Sequence, residues 1–287
     1  MATVTRVFPP PASAAAPPPA VAWKEEVNAD FTSLSTQQFD HDDTFTLGGV
    51  TWLVEEHDGT ATRGVVEAVS GSGIKITPNS SGTNIYQYLR LPLVSTPLAA
   101  AISGLDDNDL ICVQFFFNQA VTPALEFDGY GGLIYKDAGT GELDDVVDWL
   151  AYDTYFAGSS QQIKISCGTN AGHVTDYGTQ GAYSGSAPTT FEITYSFQST
   201  FGTGASSSSA STDPAPYATS ANPARTLLND SSAVGRNGSV TNPTKLITAS
   251  NARCGFGAFK VGSGTSFYVF LKRIRILRAA GDAGGLG

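Results

Sequence analysis

Residues 263–278, near the C-terminal end, limit the fold more than any other stretch of the sequence. A Gly/Ser turn opens this segment, an aromatic and β-branched run follows, and from Leu271 to Leu277 apolar side chains alternate with basic ones. Alternation with a period of two is the pattern of a strand with one apolar and one polar face. The pattern slips at Lys272, which predicts a bulge or bend there. We therefore expect a closing strand inside a sheet, paired with strands from much earlier in the chain.

The composition of the 287 residues favours strands over helices. The chain has 31 Gly, 16 Phe and 11 Tyr but one Met and 15% charged residues, whereas helical surfaces need more Glu, Lys and Arg. Runs of β-branched and aromatic residues bounded by turn residues leave no room for repeated helices, and only residues 96–103 favour a short one. The sequence therefore predicts an all-β fold, an antiparallel two-sheet jelly-roll sandwich with an extended N-terminal Pro/Ala arm. The predicted strands are residues 31–39, 49–55, 64–69, 74–78, 85–93, 110–118, 132–136, 146–156, 161–167, 190–198, 245–248, 254–261 and 267–277.

Shifts in composition divide the chain into an arm over residues 1–22, a sandwich over 23–278 and a Gly/Ala tail over 279–287. Six prolines keep the arm extended and prevent it from packing a core, so it is a tether or a docking strand. Residues 23–30 are expected to form one turn of helix or a linker. The Ser/Ala/Pro/Asn stretch 202–242 reads as a long surface excursion, because the three short strands predicted after it could not fold alone.

Charge and cysteine usage exclude several classes of protein. The net charge of −10 argues against a nucleic-acid partner, because binding phosphates requires a basic face. No window of eighteen apolar residues predicts a membrane span, and the first residues lack the apolar core of a signal peptide, so we expect synthesis in a cytoplasm. Cys112, Cys167 and Cys254 are odd in number and far apart, which predicts buried free thiols. Trp52 and Trp149 lie inside strand patterns and are assigned to the core.

Three stretches carry a resemblance to a known fold family. They are DFTSLSTQQF with the following GVTWLVEE, DLICVQFFFNQ, and CGFGAFKVGSGTSFYVFLKRIRILR at the end of the sandwich. They resemble the first, middle and last strands of the concanavalin A-like lectin/glucanase sandwich, over roughly residues 31–278. A sandwich of this kind that follows a Pro/Ala arm, with no predicted signal peptide, also resembles virion surface proteins of tailed bacteriophages. These are capsid decoration proteins, head fibres and tail appendages.

The second resemblance implies a non-enzymatic structural protein of a viral particle, such as a capsid decoration or cement protein. It would be made in the host cytoplasm, reside on the virion surface, form a homo-oligomer such as a trimer, and bind the major capsid or another virion protein. In the arm, apolar side chains would fill pockets of the partner, one arginine would meet an acidic site, and the prolines would keep the segment extended. These candidate contact residues are Val4, Arg6, Val7, Phe8, Pro9, Pro10 and Pro11.

The alternative is a carbohydrate-binding module of a tail or head fibre. Tyr130 in FDGYGG is its candidate glycan contact, because a Gly-rich loop would expose the ring. Residues 40–43 (DHDD) and 106–109 (DDND) gather the oxygen ligands that calcium prefers, and lectin-like sandwiches often hold calcium at loop ends. Calcium at Asp106, Asp107 and Asp109 is therefore the one cofactor that the sequence suggests. Turn chemistry explains both clusters equally well without a metal, because Asp and Asn cap turns with their own side chains.

Glucanases of the resembled family carry the motif ExDxxE or its bulged form ExDxE, in which the two outer acids act as nucleophile and general acid. Glu142 and Asp144 fit the first two places, but the third falls on Val147, or on Val146 in the bulged form. Asp148 lies too far along the strand to replace the missing acid. A glycoside hydrolase is therefore the minor alternative, and we expect no enzymatic activity.

Overall fold

The computed structural model describes residues 22–58, 61–62, 64–78, 91–119, 126–137, 146–157, 160–169, 172–180, 190–197, 247–260 and 267–280. The long segment 202–242 and residues 281–287 of the tail lie outside the described residues. So do the predicted contact residues of the arm, which are Val4, Arg6, Val7, Phe8, Pro9, Pro10 and Pro11.

Almost all of the regular structure is β. In the described part of the chain, the exceptions are a 3-10 turn at Phe31–Ser33 and a single-turn helix, α1, at Leu98–Ala101. The strands of the described part are β1 Ala22–Asp30, β2 Gln37–Gln38, β3 Thr44–Leu47, β4 Val50–Val54, β5 His57–Asp58, β6 Ala61–Thr62, β7 Gly64–Val69, β8 Gly73–Pro78, β9 Leu93–Ser95, β10 Leu110–Gln119, β11 Glu126–Asp137, β12 Val146–Ala157, β13 Ser160–Thr169, β14 Gly172–Gln180, β15 Thr190–Ser196, β16 Ala252–Lys260 and β17 Val269–Ala280.

Two antiparallel sheets pack on each other, which confirms the predicted all-β sandwich. Sheet A has the order β15-β10-β17-β8-β7-β2, with β1 also paired to β17. Sheet B has the order β14-β13-β12-β11-β16-β9-β4-β3, and β5 and β6 form a separate small ribbon. Strands β15, β16 and β17 alternate between the two sheets, so the end of the chain joins both layers.

Strand β17 lies inside sheet A, as its alternating sequence predicted. It pairs with β10 along one side, and on the other side with β8 through its first residues and with β1 through the rest. The register between β10 and β17 slips between Phe116 and Phe117, whose partners are Arg273 and Leu271. Lys272 is therefore the extra residue, which confirms the predicted bulge.

The core between the sheets is rich in aromatic side chains. Phe115 and Phe117 of β10 face Phe256 of β16, with ring centroids 6.0 and 5.6 Å apart. Trp52 of β4 is fully buried, and its ring centroid lies 5.3 Å from that of Phe31. Such contacts between rings add to the free energy gained by burying them. Trp149 is also buried, so the assignment of both tryptophans to the interior is confirmed.

Two predictions for residues 23–39 were wrong. Residues 23–30 are neither a helical turn nor a linker but form most of strand β1. Residues 31–39 do not form one strand. The chain turns at Phe31–Ser33, where the Asp30 carboxylate accepts hydrogen bonds from the Thr32 amide and hydroxyl, and only Gln37–Gln38 pair, as the short strand β2. A side chain that satisfies the first amides of a turn ends the strand before it.

Other differences concern single elements. Helix α1 confirms the short helical connector predicted for 96–103, while residues 247–248 of the predicted strand 245–248 lie outside any strand. Strands β3, β5, β6 and β14 were not predicted. Among the described residues, no helix has the length and apolar character needed to cross a bilayer.

Candidate functional site

Strand β1 is the point at which the N-terminal residues join the sandwich. It pairs antiparallel with β17 from Ala22 opposite Ala280 to Asp30 opposite Arg273, with a register shift between Glu25 and Val27. Val27 and Ala29 point into the core, and their burial holds the strand against the opposite sheet. Residues 1–21 therefore connect directly to a strand of sheet A, beside the last described residue of the chain.

Three ion pairs connect β1 to β17 across the sheet surface. Each joins an acid of β1 to an arginine of β17, and we call the two strands with these six side chains the β1–β17 junction. Pairs of this partly exposed kind contribute little one by one, but here they lie side by side along one ladder. The pairs are Arg275–Glu25 at 2.6 Å, Arg278–Glu26 at 3.0 Å and Arg273–Asp30 at 3.8 Å.

The predicted calcium ligands lie in a turn that their own side chains close. The Asp109 carboxylate accepts a hydrogen bond from the Asp106 amide at 2.9 Å, and the Asp106 carboxylate accepts one from the Asn108 amide at 2.7 Å. Asp107 reaches out of the turn and accepts from the Ala249 amide at 2.8 Å. In the described part of the chain, these three carboxylates do not converge as a ligand set. Calcium binding at this turn stays a prediction.

Arg278 ties the same turn to the β1–β17 junction. Its Nη1 donates to the carbonyl oxygens of Ser103 at 3.4 Å and Gly104 at 3.1 Å, and lies 3.5 Å from the Asp109 carboxylate. Its Nη2 forms the ion pair with Glu26. The positive charge beside Asp109 therefore comes from the protein itself.

Tyr130 does not lie in a loop as predicted. Residues 126–137 form strand β11, in which Tyr130 pairs with Ala258 of β16 and with Thr154 of β12. A Cβ atom at Gly132 would lie 2.6 Å from the ring of Phe115 in the opposite sheet. The glycines of FDGYGG therefore do not indicate a loop, since at least one of them makes room for a core aromatic side chain.

An aromatic pair lies on the outer face of sheet A. The half-buried rings of Tyr268 and Phe270 meet edge to face, with centroids 5.6 Å apart. The Lys75 ammonium lies 5.2 Å from the Tyr268 centroid and forms a 2.7 Å ion pair with Glu67. This patch, Tyr268–Phe270–Lys75–Glu67, combines apolar rings with hydrogen-bonding groups, and the sequence did not single it out.

A mixed group of potential metal ligands lies where the turn after β2 meets the end of β4. One ligand atom each from His41, Asp42 and Glu55 lies within 4.8 Å of the other two. The Asp42 amide donates to the Val54 carbonyl and the Val54 amide to the Asp43 carbonyl, both at 2.9 Å, so the backbone fixes the turn to the strand end. The sequence indicated residues 40–43 as an oxygen cluster but missed Glu55.

Two of the three cysteines have side chains that the structure describes, and both are buried. Cys112 and Cys254 are buried and free, as predicted, and Cys167 lies on β13 with its side chain outside the described atoms. Burial raises the pKa of Cys254 from 9.0 to about 12, although a hydrogen bond with Ser95 opposes the shift. A thiol with so high a pKa is a poor nucleophile near neutral pH.

The acids considered for glycoside hydrolysis cannot be placed together. Glu142 and Asp144 lie outside the described residues. Asp148 lies on β12, and only the backbone of this residue is described. Val146 and Val147 begin that strand, paired with Asp137 and Lys136 of β11. The absence of enzymatic activity therefore stays a prediction from the sequence motif.

Comparison of the sequence with protein-family models and with curated proteins finds no match. The all-β, two-sheet sandwich rests on the structure itself. The resemblances to concanavalin A-like sandwiches and to bacteriophage virion proteins rest only on the stretches that suggested them, and both stay predictions.

Proposed function

We propose that this chain is a non-enzymatic structural protein of a viral particle, attached to another virion protein through its N-terminal arm. A decoration or cement protein on the capsid of a tailed bacteriophage is the form of this role that the sequence resembles. The protein would be made in the host cytoplasm and act on the virion surface as a homo-oligomer, such as a trimer.

The β1–β17 junction is the observation that carries the proposal. Because the arm continues directly into a strand of sheet A, tension on the arm acts along β1 rather than on a loop. Eight paired positions from Ala22 to Asp30 and the three ion pairs with β17 resist that tension together. A strand joined in this way suits a segment that holds the sandwich to a partner.

The composition of the arm supports the same role. An Ala/Pro segment loses little side-chain entropy when it becomes ordered on a partner, and its prolines restrict it before binding. Val4, Val7 and Phe8 supply the apolar contacts, and Arg6 supplies one positive charge. The six prolines, including Pro9, Pro10 and Pro11, remove six amide donors from the arm, so side-chain contacts would contribute a large part of the affinity.

The test is a deletion that separates folding from attachment. A variant without residues 1–21 keeps the whole of β1, so its melting temperature should equal that of the full chain. We expect the deletion to abolish recovery of the protein with purified particles, measured by mass spectrometry after complementation in infected cells. Unchanged recovery would contradict attachment through the arm.

A matched pair of point variants tests the same proposal without shortening the chain. Val7→Asp with Phe8→Asp places two charges where apolar contacts are proposed, and Ala14→Asp with Ala15→Asp places the same charges further along the arm. The first pair should lose recovery with particles and the second should keep most of it. Equal losses of recovery would mean that any added negative charge on the arm prevents attachment. Val7 and Phe8 would then be excluded as specific contact residues.

Glycan binding is the second candidate function, and a different observation now favours it. The patch Tyr268–Phe270–Lys75–Glu67 offers ring faces for a pyranose and charged groups for its hydroxyls. Wild-type protein on a glycan array should then bind a ligand that Tyr268→Ala loses, while Tyr130→Ala keeps it. An array without any ligand for the wild type would leave attachment through the arm as the only candidate.

A further inference from the structure

We propose that His41, Asp42 and Glu55 bind one divalent transition-metal ion, for which Zn²⁺ is the probe. The site would lie at the contact between the 40–43 turn and the end of β4, and it includes no residue of the arm or of the β1–β17 junction. It does not depend on the virion role proposed above.

The spacing of the three side chains fits a shared ion better than direct contacts. Nε2 of His41 lies 3.6 Å from the Asp42 carboxylate, and Nδ1 lies 3.9 Å from the Glu55 carboxylate. Both distances exceed that of a hydrogen bond. Two ligand atoms bound to one tetrahedral Zn²⁺ lie roughly 3.3–3.6 Å from each other, because each is about 2.0–2.2 Å from the ion. Because one ring nitrogen faces Asp42 and the other faces Glu55, binding one ion requires a rotation of the His41 ring and a contraction from the present spacing, which is within 4.8 Å.

Burial distinguishes this group from an ordinary acidic turn. The side chain of Glu55 is 6% exposed and that of His41 is 34% exposed, whereas that of Asp42 is 79% exposed. The set thus has a buried base at Glu55 and an open side at Asp42, through which an ion can enter and keep a water ligand.

The chemistry of the ligands selects the class of ion. Calcium and magnesium prefer sets made only of oxygen atoms, while an imidazole with carboxylates suits zinc and similar transition metals. We therefore expect Zn²⁺ or Co²⁺ to bind here and Ca²⁺ to bind much more weakly.

The effect of the ion would be structural. It would clamp the 40–43 turn to β4 beside the hydrogen bonds between Asp42, Asp43 and Val54. An ion that binds only the folded state raises its stability by mass action. With chelator-treated full-length protein, we expect the melting temperature to rise by about 5 °C when Zn²⁺ exceeds its Kd a hundredfold.

Calorimetric titration and Co²⁺ absorption identify the ligands directly. Wild-type protein should bind one Zn²⁺ per chain, and bound Co²⁺ should show the visible absorption of a protein site. Asp42→Asn should weaken binding at least tenfold, and this exposed position should leave folding intact. His41→Ala should abolish both the titration signal and the rise in melting temperature. His173→Ala, which removes a histidine of β14 in sheet B, is the matched control and should behave as the wild type.

Two results would overturn the proposal. One is wild-type protein whose melting temperature does not respond to Zn²⁺. The other is equal Zn²⁺ binding by the wild type, Asp42→Asn and His41→Ala, which would place the ion elsewhere on the acidic surface. If Ca²⁺ produced the same shift as Zn²⁺ and His41→Ala abolished the shift with Ca²⁺ too, the assignment to a transition metal would also be wrong.

Discussion

The acidic turns at residues 40–43 and 106–109 are closed by the same hydrogen bonds but differ in backbone conformation and in surroundings. Asp42, the third residue of the first turn, has a positive φ of 67°, whereas Asn108 in the second turn does not. In each, the fourth residue accepts a hydrogen bond from the first amide, at 2.8 Å from Asp40 to Asp43 and at 2.9 Å from Asp106 to Asp109. In each, the fourth amide donates back to the first carbonyl at 3.1 Å. The aspartate at the fourth place therefore caps both turns, although the backbone between the first and fourth residues differs.

The second residue of each turn contacts a different part of the fold. Asp107 reaches across to the Ala249 amide, whereas His41 faces the buried Glu55. Beside the fourth residue of the 106–109 turn lies Arg278, which supplies a cation from the protein. Two turns that look alike as calcium candidates thus differ in chemistry, because tertiary partners decide whether a metal ion has a place there.

The largest effect is expected from removing the cation of the 106–109 turn. Arg278→Ala breaks hydrogen bonds to two carbonyls and leaves the mostly buried Glu26 and Asp109 without this partner. We expect a loss of about 2–4 kcal/mol in the free energy of unfolding, measured by denaturant titration.

Arg273→Ala on the same strand is the control for that loss. Its ion pair with Asp30 is 3.8 Å long and partly exposed, so the expected loss is about 0–1 kcal/mol. Equal losses for the two arginines would show that Arg278 contributes no more than an ordinary surface charge. The stated difference between the two turns would then be wrong.

A smaller effect is expected at the second place of the 106–109 turn. Asp107→Ala leaves the partly buried Ala249 amide without its acceptor, which should lower the free energy of unfolding by about 1–2 kcal/mol. Asp107→Asn keeps an acceptor oxygen and should cost less than about 0.5 kcal/mol. Hydrogen exchange at Ala249 measures the same contact locally, since the amide should exchange faster in the alanine variant only. Unchanged exchange there would exclude Asp107 as a bridge to residue 249.

The fold was predictable wherever alternation was uninterrupted. Strands β10 and β17 have apolar residues at every second position, and even the slip at Lys272 marked the true bulge. Strand β1 was missed because its register shift between Glu25 and Val27 breaks the alternation, and because its acids resemble a solvated linker. Those acids match Arg273, Arg275 and Arg278 of β17 in charge, but a sequence shows no pairing across 250 residues of chain.

The candidate sites were less predictable because contacts between elements create them. The local sequence correctly indicated the turn at 106–109 and the cluster at 40–43. The approach of Glu55 to His41 needed the end of β4 beside the turn, which no spacing rule contains. Tyr130 was misplaced because glycines suggest loops, whereas Gly132 provides space for Phe115 from the other sheet.

The smallest predicted effect tests the comparison most directly. Asp43→Asn and Asp109→Asn each keep an oxygen that can accept the turn's hydrogen bond but remove the negative charge. At residue 109 the charge faces Arg278 at 3.5 Å, so we expect a loss of about 0.5–1 kcal/mol in the free energy of unfolding. At residue 43 the described ion pairs include no arginine or lysine partner, so the change should stay within about 0.3 kcal/mol of zero. Combining Asp109→Asn with Arg278→Ala should then cost less than the sum of the two. Strict additivity would mean that the charge of Arg278 does not act on the turn, and the two turns would then differ only in their backbone and in the contacts of their second residue.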